Sequence, residues 1–305
     1  MISIVIAYFN RKKLFQSTLE SLKQSKCKED FEVIVVDDGS DESERLEELA
    51  SSYPFLKIIR IEQKNKWYNN SCIPYNEGFK VAKGDKIIIQ NPECYHFDDI
   101  LSFVSSNLDS TQYLSFGCFA LDKHITDSCK TTYNREEVYL QINDESKHSP
   151  KNGMACWYNH SIKRPEAYHF CTAITAGNLK KLGGFDEIYS LGIGFDDNEF
   201  VRRVKKLLPI KFVDNTIVLH QNHYKPESKS FQNRKFGNFL YEINFIIYKK
   251  DCSVSYCKNK ITKKLSINQK KYYLYPRIIL RLLTTKEFYQ LLYKKLQKNK
   301  KNNAI

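Results

Sequence analysis

Apolar residues along this chain come in short unbroken runs separated by polar turns. Ser3–Phe9 and Phe31–Val36 are rich in Ile and Val without alternation, the pattern of strands buried on both faces of a parallel sheet. Between them Leu14, Leu19 and Leu22 fall at helical spacing, which predicts a crossover helix. The unit then repeats. Glu42–Ser52 reads as a charged amphipathic helix and Leu56–Ile61 as a third strand; Tyr75–Ala82 reads as a helix stopped by Gly84, and Asp85–Gln90 as a fourth strand that Pro92 cannot continue. Alternating elements predict an α/β layer, a mostly parallel sheet flanked by helices. Each chain reversal then brings Phe9-Asn10, Asp37-Asp38-Gly39-Ser40 and Asn91-Pro92-Glu93 to one carboxyl edge, where open α/β sheets bind ligands.

Beyond that point the pattern weakens. Residues 123–163 are polar and irregular and read as a mobile insertion or surface loop. Order resumes over Ala167–Leu182, Phe185–Leu208 carries a second acidic cluster, and Ile210–Leu219 reads as a strand with His220 and His223 just beyond it. After Pro226 the chain becomes helical, aromatic and basic, and no internal repeat is visible.

Composition narrows the class. With 305 residues, 42% hydrophobic and 27% charged, the chain can bury a sizeable core, and disorder throughout is excluded. Its apolar runs stop far short of the ~20 residues of a membrane-spanning helix. Met1–Phe9 lacks a basic leader and reads as a first strand. Nine cysteines without a C-x-x-C pair suggest neither a disulfide framework nor a thiolate zinc site, so a cytoplasmic setting with reduced thiols is expected. The formal charge of +13 is uneven: from Lys249 onward 16 basic residues face two acidic ones, whereas the other 248 residues hold 32 against 33. A near-neutral body with a basic, tyrosine-rich end argues against nucleic acid as the partner. An anionic membrane surface, met peripherally, is the expected partner of the tail, alongside a helical pair packed on the body or on a second subunit.

The strand-end carboxylates Asp37 and Asp38 can accept hydrogen bonds from a base edge or from ribose hydroxyls, or they can simply form a turn with Ser40 or Asp41 capping the next helix. Three segments taken together go further. Ile6-Ala7-Tyr8-Phe9-Asn10-Arg11, then Val36-Asp37-Asp38-Gly39-Ser40, then Asn76-Glu77-Gly78 with Gly84-Asp85 resemble, in order and spacing, the amino-terminal half of family 2 glycosyltransferases of the GT-A fold. The resemblance continues in Gly183-Gly184-Phe185-Asp186-Glu187 and in Asp196-Asp197 followed by Arg202-Arg203, with Asp196 where the family usually has Glu.

That resemblance implies a Rossmann-like GT-A catalytic domain over 1–225; it says little about the rest, where composition alone predicts a basic aromatic helical region over 226–305. Within the domain, 1–122 would be the nucleotide-sugar half and 123–225 the acceptor half carrying the polar insertion. It implies that Ala7, Tyr8 and Phe9 wall the base, that Asp38 or else Asp37 takes its ring N–H, and that Asn76 belongs to the donor site. Asp197, beside Asp196, would be the general base of an inverting transfer, with Gly184, Phe185 and Asp186 on the acceptor side. Apart from the resemblance, Trp67, Tyr68, Trp157 and Tyr158 are by residue type candidates to stack on a sugar face or, equally, to anchor packing. The implied donor is a nucleotide-diphosphate sugar, a UDP-sugar by preference, and the acceptor a glycan, a lipid-linked saccharide or a protein; oligomerisation is left open.

Two departures matter. Where the family places a D-x-D metal motif, this chain has Asn91-Pro92-Glu93, so Asn91 and Glu93 would ligate Mn²⁺ or Mg²⁺ with one formal charge fewer. An imidazole from His223 or His220 would favour Mn²⁺. Tyr75 stands where many relatives carry an Arg, which leaves Lys64, Lys66 or a tail lysine to meet the donor phosphates. Asp98-Asp99 are expected to open a helix rather than bind metal. The competing readings are an aspartyl phosphotransferase, which needs carboxylates two apart; a nicotinamide dehydrogenase, for which G-x-G-x-x-G is missing; and a catalytically weak or inactive sugar-nucleotide or polyanion binder.

Overall fold

The computed structural model describes residues 1–129, 132–144, 156–223, 234–251 and 262–302. Among the described residues nine strands form one curled sheet: β1 (Ile2–Tyr8), β2 (Phe31–Asp37), β3 (Leu56–Arg60), β4 (Lys86–Gln90), β5 (Cys94–His96), β6 (Tyr113–Ala120), β7 (Cys156–Asn159), β8 (Cys171–Thr175) and β9 (Ile210–His220), in the order β3-β2-β1-β4-β8-β6-β9-β5 with β7 on β6. The first four run parallel, β8 is antiparallel to β4 and β6, and β6 and β9 are parallel.

Side-chain alternation explains why the central strands lack a polar face. Ile2, Ile4, Ile6, Val33, Val35 and Ile88 point into one core with α1 (Lys12–Lys23) and α3 (Ile100–Asn107); Val5, Ile34, Val36, Ile87 and Ile89 point into the other with α2 (Cys72–Val81). Each such side chain contributes about 1.5–3 kcal/mol on full burial. α2 lies so close to the sheet that a Cβ on Gly78 would come within 2.4 Å of Val5.

Three sequence expectations change. Glu42–Ser52 is not a helix but two short 3₁₀ turns, Glu42–Glu44 and Glu47–Leu49. Its polar groups are used elsewhere: the Glu44 carboxylate accepts the Lys12 N–H at 2.8 Å and so caps α1, while Glu47 pairs with Arg60 at 2.5 Å. Gly84 is not a left-handed helix stop; α2 ends in extended backbone at Ala82, and Gly84 is needed because a Cβ there would lie 2.5 Å from the Ser3 nitrogen. The 123–163 stretch is built, where described, from α4 (Lys123–Ser128), α5 (Arg135–Asn143) and β7. Asp122 and Asn134 cap the two helices, and Ile125, Tyr133, Val138 and Trp157 form a satellite core. Residues 145–155 of that stretch lie outside the described residues. Asp99 does open α3, accepting the Ser102 N–H.

The remaining helices are α6 (Ala176–Leu182), α7 (Asp196–Leu207), α8 (Arg234–Asp251), α9 (Ile267–Leu283) and α10 (Lys286–Asn302). Leu240, Ile243 and Ile247 of α8 and Leu274, Ile278 and Leu282 of α9 join the same core as Val5 and Ile34, so the hydrophobic interior continues past residue 225. Pro226 itself, Cys252 and Cys257 fall outside the described residues; the described cysteines are free thiols. Among the described residues no helix is long and apolar enough to cross a membrane.

A buried polar knot ties the tail to the body. Lys270, fully buried on α9, sends its ammonium to Glu187 Oε1 at 2.5 Å and to Glu77 Oε1 at 2.7 Å, and Asn76 donates to the same Glu187 oxygen at 3.0 Å. Burial works against the charged lysine, but Glu187 and Glu77 outweigh it and raise its pKa. Removing one partner of a buried pair strands the other. Lys270→Ala is therefore expected to cost about 3–5 kcal/mol in urea unfolding, with part recovered when Glu187→Gln is added to Lys270→Met.

Candidate active site

Topology alone gathers the candidate residues. β1, β2 and β4 run the same way, so Phe9, Asp38 and Asn91 leave the sheet at one edge. β8 enters against β4 with Cys171 opposite Gln90, which places Tyr168, His169 and Phe170 at that edge, and β9 delivers His220 beside Ala120 and Cys94. α7 starts there too. Gly194 (φ 68°) and Phe195 (φ 67°) both take left-handed backbone, so the helix opens directly on Asp196 and Asp197. A bulky residue in that region costs about 1–3 kcal/mol, and here the Phe195 ring is held by Tyr241, Phe245 and Tyr248 of α8.

At the end of β2 the two carboxylates divide their work. Asp37 is fully buried, pairs with Arg60 at 2.9 Å and accepts the Ser40 N–H at 2.9 Å, so it builds the turn. Asp38 is mostly covered and is held by Lys66 at 2.7 Å and the Tyr68 hydroxyl at 2.5 Å; burial raises its pKa against both partners. Lys66 also lies 4.5 Å over the Phe9 ring. Beside the turn is a cleft of about 320 Å³ lined by Ser40, Asp41, Arg45, Arg60 and Lys64 among others.

Two expected donor residues are occupied elsewhere. Tyr8 points to the opposite face of β1, its ring in the core and its hydroxyl donated to the Glu44 carbonyl at 2.7 Å, because strand alternation turns it away from the face of Ala7. Ala7 is half-buried against the main core. Asn76 is buried and spent on the Gly-Gly-Phe-Asp-Glu loop, donating to the Phe185 carbonyl and accepting the Phe185 N–H, each at 2.9 Å.

Glu93, His220 and His223 form a compact cluster whose ligand atoms lie within 4.8 Å of one another. The two imidazole Nε2 atoms stand 3.1 and 3.5 Å from Glu93 Oε1, and Arg11 reaches the same oxygen at 2.5 Å. Burial would raise the Glu93 pKa, but Arg11, His220 and His223 hold it well below the usual carboxylate range. Its other oxygen, Oε2, is buried without a hydrogen-bond partner. One carboxylate with an orphaned oxygen and two imidazoles is a donor set that fits a divalent cation, Mn²⁺ better than Mg²⁺. Asn91 is engaged next door, its Oδ1 accepting the Tyr75 hydroxyl at 2.9 Å.

The acidic pair is also differentiated. Asp196 is buried and accepts from Asn70 at 3.1 Å and Ser71 at 3.2 Å. Burial, with Asp196 as a like charge, pushes the Asp197 pKa up to about 6, while His169 and the Asn198 N–H draw it down. Of the residues expected on the acceptor side, Phe185 is core, stacked among Tyr75, Phe79 and Phe200. Gly184 (φ 78°) lets the loop pass over Asn76, and Asp186 accepts the Ile188 N–H of the turn Glu187–Tyr189. Trp157 is buried edge-on to Phe119 and His160 in the satellite core rather than presented as a platform.

Sequence reasoning missed Arg11 and His169. Arg11 was visible in the Asn10-Arg11 step, but only the folded structure shows that it reaches Glu93. His169 carries no motif signal, since its place follows from β8 running antiparallel.

This edge, with its strand-end carboxylates, its acidic helix start and a curled, mostly parallel sheet, is the architecture of a GT-A glycosyltransferase domain. The chain belongs to glycosyl transferase family 2, whose model matches residues 3–164. It is 26% identical over 249 residues to a chondroitin synthase of Escherichia coli, covering 72% of this chain and 34% of that protein. It is likewise 26% identical over 265 residues to the chondroitin synthase of Pasteurella multocida, covering 78% and 26%. The chain thus spans about a third or less of these relatives' length. The fold is similar to that of mannosyltransferase PcManGT from Pyrobaculum calidifontis in complex with GDP-Man and Mn²⁺, with a TM-score of 0.53 at 12% identity over 97% of this chain and 79% of that one.

A carboxyl whose folded pKa lies above its unfolded value destabilises the native state when ionised. That penalty is full above about pH 6 and disappears as the pH falls toward 4. Asp197→Asn should therefore raise stability by about 1–3 kcal/mol near pH 7.5 and by little near pH 4, read from paired denaturation curves.

Proposed function

We propose that the protein is an inverting glycosyltransferase that moves a sugar from a nucleotide-diphosphate donor to an acceptor hydroxyl. The observation that carries this reading is the meeting, at one sheet edge, of the strand-end carboxylate Asp38, the Glu93–His220–His223 cluster and Asp197. Asp38 is suited to accept the ring N–H of the base, with Phe9 beside it. UDP-sugars are the first donors to test.

Glu93, His220 and His223 would hold the divalent ion, which when bound neutralises charge on the departing diphosphate. Asp197 acts on the other side. The acceptor oxygen forms a bond to the anomeric carbon from the face opposite the diphosphate, the carbon–oxygen bond to the diphosphate breaks, and the acceptor's proton passes to Asp197. Configuration inverts. With a pKa of about 6 this carboxylate is largely ionised at neutral pH, yet a better base than an exposed one.

Similarity to chondroitin synthases supports polysaccharide or glycan assembly as the setting. An acceptor held at an anionic membrane surface accords with α9, whose outer face exposes Tyr272, Ile279, Leu280 and Leu283 within a strongly basic segment.

Asp197→Asn should cut transfer by about 10²–10⁴ while donor affinity by calorimetry stays near that of the wild type. In the wild type kcat/KM should fall below about pH 6 as Asp197 is protonated. Unimpaired turnover in the variant would remove Asp197 from this role. Donor binding without turnover in the wild type, across donors and with Mn²⁺, would instead mark a sugar-nucleotide binder.

A further inference from the structure

His169 takes no part in the scheme above, yet it is built into the site with care. It sits on the segment entering β8, its ring edge-on to Tyr75 at 5.0 Å (70°) and to Phe185 at 5.4 Å (78°). Tyr75 in turn bonds Asn91, and the adjacent Phe170 packs on His220 at 5.6 Å. The aromatic clamp fixes the ring plane, and Nδ1 is buried without a hydrogen-bond partner. That nitrogen stands 3.9 Å from Asp197 Oδ2. A buried polar nitrogen left unsatisfied costs about 1–3 kcal/mol, which a fold tolerates where the group has work to do.

We propose that His169 is the positioning residue of the general base: its Nδ1–H closes onto Asp197 Oδ2 and holds that carboxylate ionised and aimed at the acceptor. The contact is longer than a hydrogen bond in this structure, and a shift of less than 1 Å completes it. The other Asp197 oxygen already accepts the Asn198 N–H at 2.8 Å, so a second donor from His169 would fix the carboxylate plane. The groups facing the pair are Asp196 on α7, Tyr75 on α2, Tyr113 on β6 and Tyr168 beside His169. Among these Asp196 opposes ionisation of Asp197, which makes a donor on the opposite side useful.

This inference rests on Asp197 being the base, and its test is chosen to fail separately from that reading. His169→Phe keeps the aromatic clamp and removes the nitrogen; His169→Asn places an amide nitrogen near the position of Nδ1. The Asp197 carboxyl is followed by ¹³C NMR across pH in the full-length protein, with Asp197→Asn to assign the signal. The pKa should rise by about 1 unit in His169→Phe and stay near the wild type in His169→Asn. Once a donor is identified, the acid limb of kcat/KM should move up with it, and kcat should fall 10- to 100-fold with the donor KM within twofold, again recovered by Asn. An unmoved Asp197 pKa in His169→Phe, or equal losses in both variants, would overturn the proposal. A shifted carboxyl pKa in a protein that transfers nothing would instead leave the pair intact and refute the catalytic reading.

Discussion

The site depends on a polar knot buried where three distant segments meet. Asn76 on α2 holds the Phe185 backbone through both ends of its amide, shares Glu187 with Lys270 of α9, and packs under Gly184 where no side chain fits. Arg203 closes the far side of the same loop, donating to the Leu182 and Gly184 carbonyls while paired with Glu199. Residues that look like ligand binders in the sequence are thus the joints of the frame. Buried charges of this kind add little net stability, yet removing any one leaves a costly unpaired partner, and together they hold the 183–187 loop against α2, α7 and α9.

Charge balance at the Glu93 cluster follows a similar economy. Replacing a carboxylate pair with Asn91 and Glu93 leaves one negative side chain, and Arg11 pairs with it. Two imidazoles complete the donor set and are themselves packed, His220 between Tyr158 and Phe170. Glu93 and His220 are buried, which strengthens the electrostatic contact between them. Asp38, at the other end, keeps its carboxylate between a lysine and a tyrosine hydroxyl, so donor binding there would exchange existing partners rather than fill an empty acceptor.

Much of this was legible in the sequence. Short Ile/Val runs gave the parallel half of the sheet, and strand polarity gave the shared edge with Asp38, Glu93 and the histidines after β9. What failed did so for identifiable reasons. Glu42–Ser52 has helical periodicity, but its glutamates bond to α1 and β3 instead of to one another. Tyr8, Trp157 and Phe185 have the chemistry of binding residues, and only the pleat of β1, the satellite core and the main core, respectively, show that their rings face inward. Asn76 and Gly184 are motif positions whose role is mutual packing. His169 was invisible because nothing local marks it; its place comes from β8 running antiparallel beside β4.

The left-handed Phe195 has one more consequence. Its ring is gripped by three aromatic side chains of a helix that starts some forty residues later, so the torsion that launches Asp196 and Asp197 is braced from outside the sheet altogether. That helix shares its interior with α9, whose outward side exposes Tyr272, Ile279 and Leu280 among Lys271 and Arg277. Leu274, Ile278 and Leu282 of α9 share one core with Leu240, Ile243 and Ile247 of α8, so the helix that grips Phe195 is itself backed by a second one. The chain beyond residue 225 is in this sense a buttress of the turn that starts α7 rather than a trailing end.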